Sequence, residues 1–141
     1  MASYARSVET QASSERVWSL WSDTSTWPRW NPDVVAISLD GPFVPGTTGS
    51  MTTKAGGTHP IRLGPIQPGR SFDLETSPIP LGRFTFHCEV VPAGERASRI
   101  SQSVAIGGPL GPIYSPMMGR RVAEGFEPLL QGLATEAETG H

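Results

Sequence analysis

PLGPIYSPMMGRRVAEGFEPLLQGLATEAE, residues 109–138, is the one stretch of this chain long enough to form a long amphipathic helix. At roughly 100° per residue, Met118, Val122, Phe126, Leu129 and Leu133 fall on one stripe. Arg120, Glu124, Glu127, Gln131 and Glu138 take the opposite side. Such a stripe must be laid on something apolar, and most of the preceding chain has the pattern of strands, so the helix is expected to cover a sheet. Pro116 is tolerated if the helix starts near Pro112 or Ile113, because first-turn amides lack intrahelical partners. Pro128 would clash with the carbonyl of Glu124, at a cost of ~3 kcal/mol in a regular helix. A kink at Glu124 to Glu127, or a break with Pro128 opening a second segment, is therefore expected. Gly119, Gly125 and Gly132 weaken the helix further, by roughly 1 kcal/mol each relative to Ala. The front half, with Tyr114, Met117, Met118 and Val122, is expected to face any cavity. The rear half, with Leu129, Leu130 and Leu133, should anchor on the sheet.

Upstream, residues 4–11 alternate weakly and predict a first strand. Ser13 or Ser14 can cap a short helix with Glu15 in its first turn, where the helix dipole favours a carboxylate. Trp18 and Trp21 form an i,i+3 pair on it. Thr24 or Ser25 can start a second short helix that Pro28 and Pro32 keep short. All four tryptophans, Trp18, Trp21, Trp27 and Trp30, sit here, either as core packing or as an aromatic wall at a pocket mouth.

Beyond Asp33 the period switches to two. Val35, Ile37 and Leu39 share one face, and Met51, Thr53 and Ala55 share a face of the next strand. The prolines of HPIRLGPI (59–66) mark that strand as short, edge-like or bulged. Phe72, Leu74 and Thr76 oppose Asp73 and Glu75. Phe84, Phe86, Cys88 and Val90 oppose Arg83, Thr85, His87 and Glu89. Ile100, Gln102, Val104 and Ile106 point inward on the last strand, opposite Arg99, Ser101 and Ser103. Short turns, among them Pro78 to Gly82, separate these strands, which favours an antiparallel sheet with one solvated face. The glycines of Gly107 to Gly111 form a hinge before the helix.

The chain has 141 residues with 11 Lys+Arg against 13 Asp+Glu, a net charge of -2, and no run of like charge. This length predicts one domain, 1–141, able to bury a core and a small-molecule cavity. The charge balance argues against a nucleic-acid surface. The single Cys88 excludes an intramolecular disulfide. The N-terminus lacks the apolar run of a signal peptide, and no run approaches a membrane span, so a cytoplasmic protein is the expectation.

Catalysis at neutral pH needs a nucleophile beside a base, a tuned acid or base, or a metal. The three histidines are His59, His87 and His141. His87 and Cys88 are adjacent on a strand and point to opposite faces, so they cannot share a metal ion; no metal and no cofactor is expected. Asp73 and Glu75 share a face, but on the solvent side, facing outward arginines such as Arg83 or Arg99. What remains are polar groups on apolar faces: Thr53, Thr76, Gln102 and Tyr114, with Asn31 at the mouth. Buried without a partner, each costs on the order of 1–3 kcal/mol; in a packed core they would bond to backbone or water, in a cavity they would orient a ligand. Gln102 is the most informative, because its amide interrupts Ile100, Val104 and Ile106.

The strand followed by ASSERVWSLWSD (12–23), the TWPRWNP segment (26–32) and the closing GPLGPIYSPMMGRRVAEGFEPLLQGLATEAE (108–138) together resemble the helix-grip fold of the START-like (Bet v 1-like, SRPBCC) superfamily. Within it they are similar to the bacterial polyketide cyclase/dehydrase-type proteins. The resemblance implies an α+β fold: a curved antiparallel sheet of about six to seven strands wrapped on the long C-terminal helix, with two short helices after the first strand and a hydrophobic ligand cavity between. Carried over by position, Trp27 and Asn31 correspond to pocket-lining positions; no catalytic arginine is carried over, since HPIRLGPI departs from the family pattern and leaves the direction of Arg62 open. The expected ligand is small, hydrophobic, aromatic or polyketide-like, contacted by Trp27, Asn31, Thr53, Thr76, Phe84, Phe86, Gln102, Tyr114 and Met118. Cyclisation or dehydration is the expected reaction if the protein is an enzyme, with Tyr114, Gln102 or Asn31 polarising carbonyls. The alternative is a non-catalytic lipid or small-molecule carrier, or an interaction module with a vestigial pocket closed by Trp27, Phe84, Phe86 and Met118. A monomer or homodimer is expected.

Overall fold

The structure, a computed structural model, describes residues 3–54, 57–76 and 82–139. Strand β1 (Ser3–Thr10) leads into α1 (Ser14–Ser22), a 3-10 turn (Thr24–Thr26) and α2 (Trp27–Trp30). Strands β2 (Val34–Leu39), β3 (Thr48–Thr53), β4 (Gly57–Gln67), β5 (Ser71–Thr76), β6 (Arg83–Pro92) and β7 (Ser98–Gly107) follow, then α3 (Gly111–Glu124) and α4 (Phe126–Thr139). The strands form one curved, antiparallel, seven-stranded sheet in the order β1-β7-β6-β5-β4-β3-β2. This is the helix-grip arrangement, with the C-terminal helices laid on the sheet.

The local chemistry explains each piece. The Ser13 hydroxyl accepts from the Arg16 amide at 3.2 Å and caps α1, whose buried residues are Val17, Leu20 and Trp21. Asp23 caps the following turn through the Ser25 amide, and Pro28 sits in the first turn of α2, where its missing N–H leaves no helical bond unmade. The alternation of β5, β6 and β7 places Phe72, Leu74, Thr76, Phe84, Cys88, Val90, Ile100, Gln102, Val104 and Ile106 in the interior.

Two strands depart from simple alternation. A register shift between Val34 and Ala36 breaks the period in β2: Val34 is buried and Val35 is 53% exposed, so Val35 does not share the inner face with Ile37 and Leu39. HPIRLGPI is bulged, with a shift between Leu63 and Ile66, but it is neither short nor at an edge. It lies inside an inner strand between β3 and β5, where Pro60 withholds a donor yet its carbonyl accepts from the Thr76 hydroxyl at 2.9 Å. Ala55, His141 and the Pro78 to Leu81 part of the predicted turn lie outside the described residues.

The long helix breaks at Gly125, and Pro128 falls in the first turn of α4, where its missing N–H costs no helical bond. The two halves bury different chemistry. Helix α3 buries Gly111, Ser115, Gly119 and Ala123, a ridge of small side chains at i,i+4 that lets its backbone approach β7 and β1. The Tyr4 ring lies over Gly119, and its hydroxyl donates to the Ser115 carbonyl at 3.2 Å. Helix α4 buries Phe126, Leu129, Leu130, Leu133, Ala134 and Ala137. Met117, expected to face inward, is 70% exposed because it lies away from the small-residue ridge.

The end of α4 is tied to the first strand through Glu138, whose carboxylate accepts from the Thr10 hydroxyl at 2.7 Å and the Gln11 amide at 3.0 Å. These bonds, the Thr10 one foremost, hold its pKa below the ordinary glutamate value. A lowered folded pKa means that the stabilisation is present above the unfolded value of about 4.3 and is lost as pH falls through the folded pKa. Glu138→Ala is expected to cost about 1 kcal/mol at pH 7. In urea titrations its gap to the parent protein should close below about pH 4; a gap that stays constant down to pH 3 would show that the carboxylate's charge contributes nothing.

Candidate functional site

Between the inner face of the sheet, α2 and the joint of α3 with α4 lies a cavity of about 760 Å³. Its floor is built by strand alternation: Leu74 and Thr76 from β5, Phe84, Phe86 and Cys88 from β6, and Gln102 from β7. Trp21, Trp27 and Trp30 form one side, and Met118, Val122, Phe126 and Leu129 the cover. The exposed members of the wall are Pro32 and Asp33 after α2, and Arg121, Gly125 and Pro128 at the helix joint; these mark the mouth.

Trp27 and Trp30 present apolar faces to this space because their polar ends are already used. The Trp27 indole N–H donates to the Trp21 carbonyl at 3.0 Å, and that of Trp30 to the Thr26 hydroxyl at 3.1 Å. Phe72 stands behind them, with ring centroids 5.4 Å from Trp21, 6.0 Å from Trp27 and 5.2 Å from Phe43. Trp18 packs on Trp21, Phe43 and Phe72 and belongs to this backing layer rather than to the wall.

Trp27, Asn31, Thr53, Thr76, Phe84, Phe86, Gln102 and Met118 all line the cavity. Tyr114 does not; it is half-buried near the start of α3, ahead of the part that covers the cavity. The polar groups differ in what they have free. Thr76 donates to the Pro60 carbonyl, and the Asn31 side-chain oxygen accepts from the Asp33 amide at 3.0 Å, which leaves the Asn31 NH₂ to serve the cavity. Gln102 is 8% exposed and its amide makes no hydrogen bond to a described residue. Cys88, directly across the strand pair from Gln102, is buried. Burial, and then the charge of Asp73, push its thiol far above its ordinary pKa, so it faces the cavity as a neutral thiol and not as a nucleophile.

Asp73 and Glu75 point to the other face, as their strand parity requires. The partner of Asp73 is His87, at 2.5 Å, not Arg83 or Arg99, because His87 stands directly opposite it in register. Arg99 pairs instead with Glu9 at 3.4 Å. Arg62 is exposed on the outer side, between the inward Ile61 and Leu63. Among the described residues no group of three or more His, Cys, Asp or Glu could hold a metal ion, and no helix is long and apolar enough to cross a membrane.

Sequence reasoning does not find His59, Arg121 or Asp33. His59 shares the parity of Ile61 and Leu63, which is a signal that points it inward. Arg121 flanks the apolar stripe between Met118 and Val122 and reads as a surface charge until the joint brings it to the mouth.

A family model described as polyketide cyclase / dehydrase and lipid transport matches residues 1–138. Among solved structures, the chain is similar to a START superfamily protein from Mycobacterium smegmatis, with a TM-score of 0.76 and 17% identity over 96% of this chain and 97% of that one. It is similar to norcoclaurine synthase from Thalictrum flavum, solved in complex with dopamine and hydroxybenzaldehyde, with a TM-score of 0.76 and 14% identity over 99% of this chain and 88% of that one. A protein from Thermobifida fusca solved by NMR is 26% identical over 96% of this chain and 95% of that one, with a TM-score of 0.69. No curated protein matches the chain. Family and fold are consistent with a domain that binds a hydrophobic ligand.

Proposed function

We propose, from the premise that this chain belongs to the polyketide cyclase / dehydrase and lipid transport family, that it binds a small aromatic or polyketide-like molecule in the cavity and orients it through a carbonyl group. The observation that carries this is Gln102: the side-chain amide of a residue only 8% exposed, without a partner among the described residues and open to an apolar chamber of about 760 Å³. Left dry, that amide would cost on the order of 1–3 kcal/mol, a cost that a ligand carbonyl accepting from its NH₂ removes. The volume falls within the usual range of small-molecule sites.

The inner wall offers positioning groups, Gln102 and Thr76, while the titratable side chains that line the cavity are His59, Asp33 and Arg121. The Cys88 thiol is neutral, and the carboxylates of Asp73 and Glu75 face away from the chamber. Binding and carriage fit this inner wall better than proton-transfer catalysis, for which His59 and Asp33 would be the candidate groups. A cyclisation would rest on holding a reactive chain folded while Gln102 and the Asn31 NH₂ polarise its carbonyls.

The test is calorimetric titration with acetonaphthone and with ethylnaphthalene, which lacks the carbonyl. The ketone is expected to bind about tenfold tighter, and Gln102→Leu should abolish that preference while leaving hydrocarbon binding intact. At 100 times its dissociation constant a ligand should add ~2.7 kcal/mol of stability, readable as a thermal shift. Tyr114→Phe is the control and should change neither affinity, because Tyr114 lies outside the wall. If neither compound, nor a wider panel of aromatic ketones, binds or shifts melting, the proposal fails.

A further inference from the structure

We infer that the mouth of the cavity selects apolar carboxylic acids, with Arg121 as the residue that recognises the carboxylate. The inference rests on the cavity being a ligand site and adds the polarity of what enters it. Polar groups are distributed unevenly along the chamber. The inner part offers neutral donors and acceptors only, from Gln102, Thr76 and the Cys88 thiol. Ionisable groups appear elsewhere on the wall: exposed Arg121 from α3 and Asp33 from the turn after α2, and half-buried His59 from β4.

None of these three side chains forms an ion pair or side-chain hydrogen bond with a described residue, whereas Arg29, Arg70 and Arg99 do pair with glutamates. Arg121 can run its apolar stem along Met118 and Val122 on the same wall while its guanidinium stays at the opening. A planar fork with no partner among the described residues, beside an apolar chamber, matches a single carboxylate, which it can take bidentately. The ligand then enters with its apolar body against the tryptophans and its carboxylate last, so the charge is never fully desolvated. Asp33 acts in the opposite sense, repelling the acid and favouring an amine. Arg121, whose guanidinium keeps its charge at every relevant pH, outweighs it.

The experiment is calorimetric titration at pH 7 and low salt with naphthylacetate, naphthylethanol and naphthylethylamine, which share one apolar body. The order of affinity expected is acid, then alcohol, then amine, with about fivefold between acid and alcohol for a pair this exposed. Arg121→Gln should remove the preference for the acid over the alcohol. Arg121→Lys should restore part of it, and Asp33→Asn should widen it. Equal affinities for all three, an amine preference, or an acid preference that survives Arg121→Gln would overturn the inference while leaving the cavity as a ligand site. Binding of the ketone probe without any binding of the acid would overturn it as well. Failure of every naphthyl compound would remove the inference together with the function it rests on.

Discussion

Phe72→Ala is expected to lower stability by about 4 kcal/mol, within the range for truncating a buried phenylalanine. Phe72 is 2% exposed and stands at the centre of the aromatic cluster, with tilted or edge-on contacts to Trp18, Trp21, Trp27 and Phe43. Removing it forfeits the transfer energy of the ring and leaves a void that these neighbours, held by α1, α2 and the sheet, cannot fill by collapsing. Edge-to-face pairing adds about 0.5–1.5 kcal/mol for a pair beyond buried area. Phe72→Leu keeps most of the volume and should cost about 1.5 kcal/mol. Urea denaturation of the three proteins, compared at constant m-value, gives the measurement. A loss below about 1 kcal/mol for Phe72→Ala would mean that the cluster repacks and does not back the wall rigidly. Because Trp21 and Trp27 line the cavity directly in front of Phe72, the same variant should weaken ligand binding without touching the ligand.

Gly132→Ala is expected to destabilise the protein by about 2 kcal/mol, against the sign that helix propensity assigns. In an isolated helix the change would gain roughly 1 kcal/mol. Here a methyl group at residue 132 would run into the carbonyl oxygen of Trp30. That atom belongs to the backbone of α2, so no side-chain rotation relieves the overlap, and α2 must move away from α4. Trp27, Trp30 and Asn31 would move with it, and all three line the cavity. Two losses should therefore appear together: a lower denaturation midpoint and weaker binding of an aromatic probe. Gly125→Ala is the internal comparison. Gly125 has φ -69° and ψ -14°, which alanine adopts freely, and an added methyl would meet only the Val122 carbonyl at 3.3 Å. That variant should stay within about 0.5 kcal/mol of the parent. If Gly132→Ala proves as stable as Gly125→Ala, the close approach of α2 to α4 does not hold in solution.

Three glycines of the C-terminal stretch show where sequence reasoning stops. Gly119, Gly125 and Gly132 carry the same intrinsic cost in a helix, and a one-dimensional pattern treats them alike. In the fold they have three different roles. Gly119 receives the Tyr4 ring, Gly132 receives the Trp30 backbone, and Gly125 closes α3 without a close neighbour of that kind. The difference lies in contacts between residues about a hundred positions apart, as between Tyr4 and Gly119, which no local signal encodes.

Strand parity makes much of the cavity legible. A residue's face in a strand follows from its neighbours, so alternation alone assigns Thr76, Phe84, Phe86 and Gln102 to the inner surface, where they line the chamber. Parity fails where a bulge inserts an extra residue, as at Val35. It also cannot say how far along the helix the cavity extends, which is why the front half of the helix as a whole, with Tyr114 and Met117, is expected inside while Arg121 is passed over. By itself the sequence determined the element order, the inner and outer faces of the strands and the joint in the long helix, because steric and hydrogen-bonding limits on proline and the period of two act over a few residues. Only the tertiary structure decided that α3 seats itself through a ridge of small residues, that a chamber stays open beneath the joint, and that Arg121 stands at its mouth. Those follow from how closely whole elements can approach one another, a property of pairs of surfaces and not of any one segment.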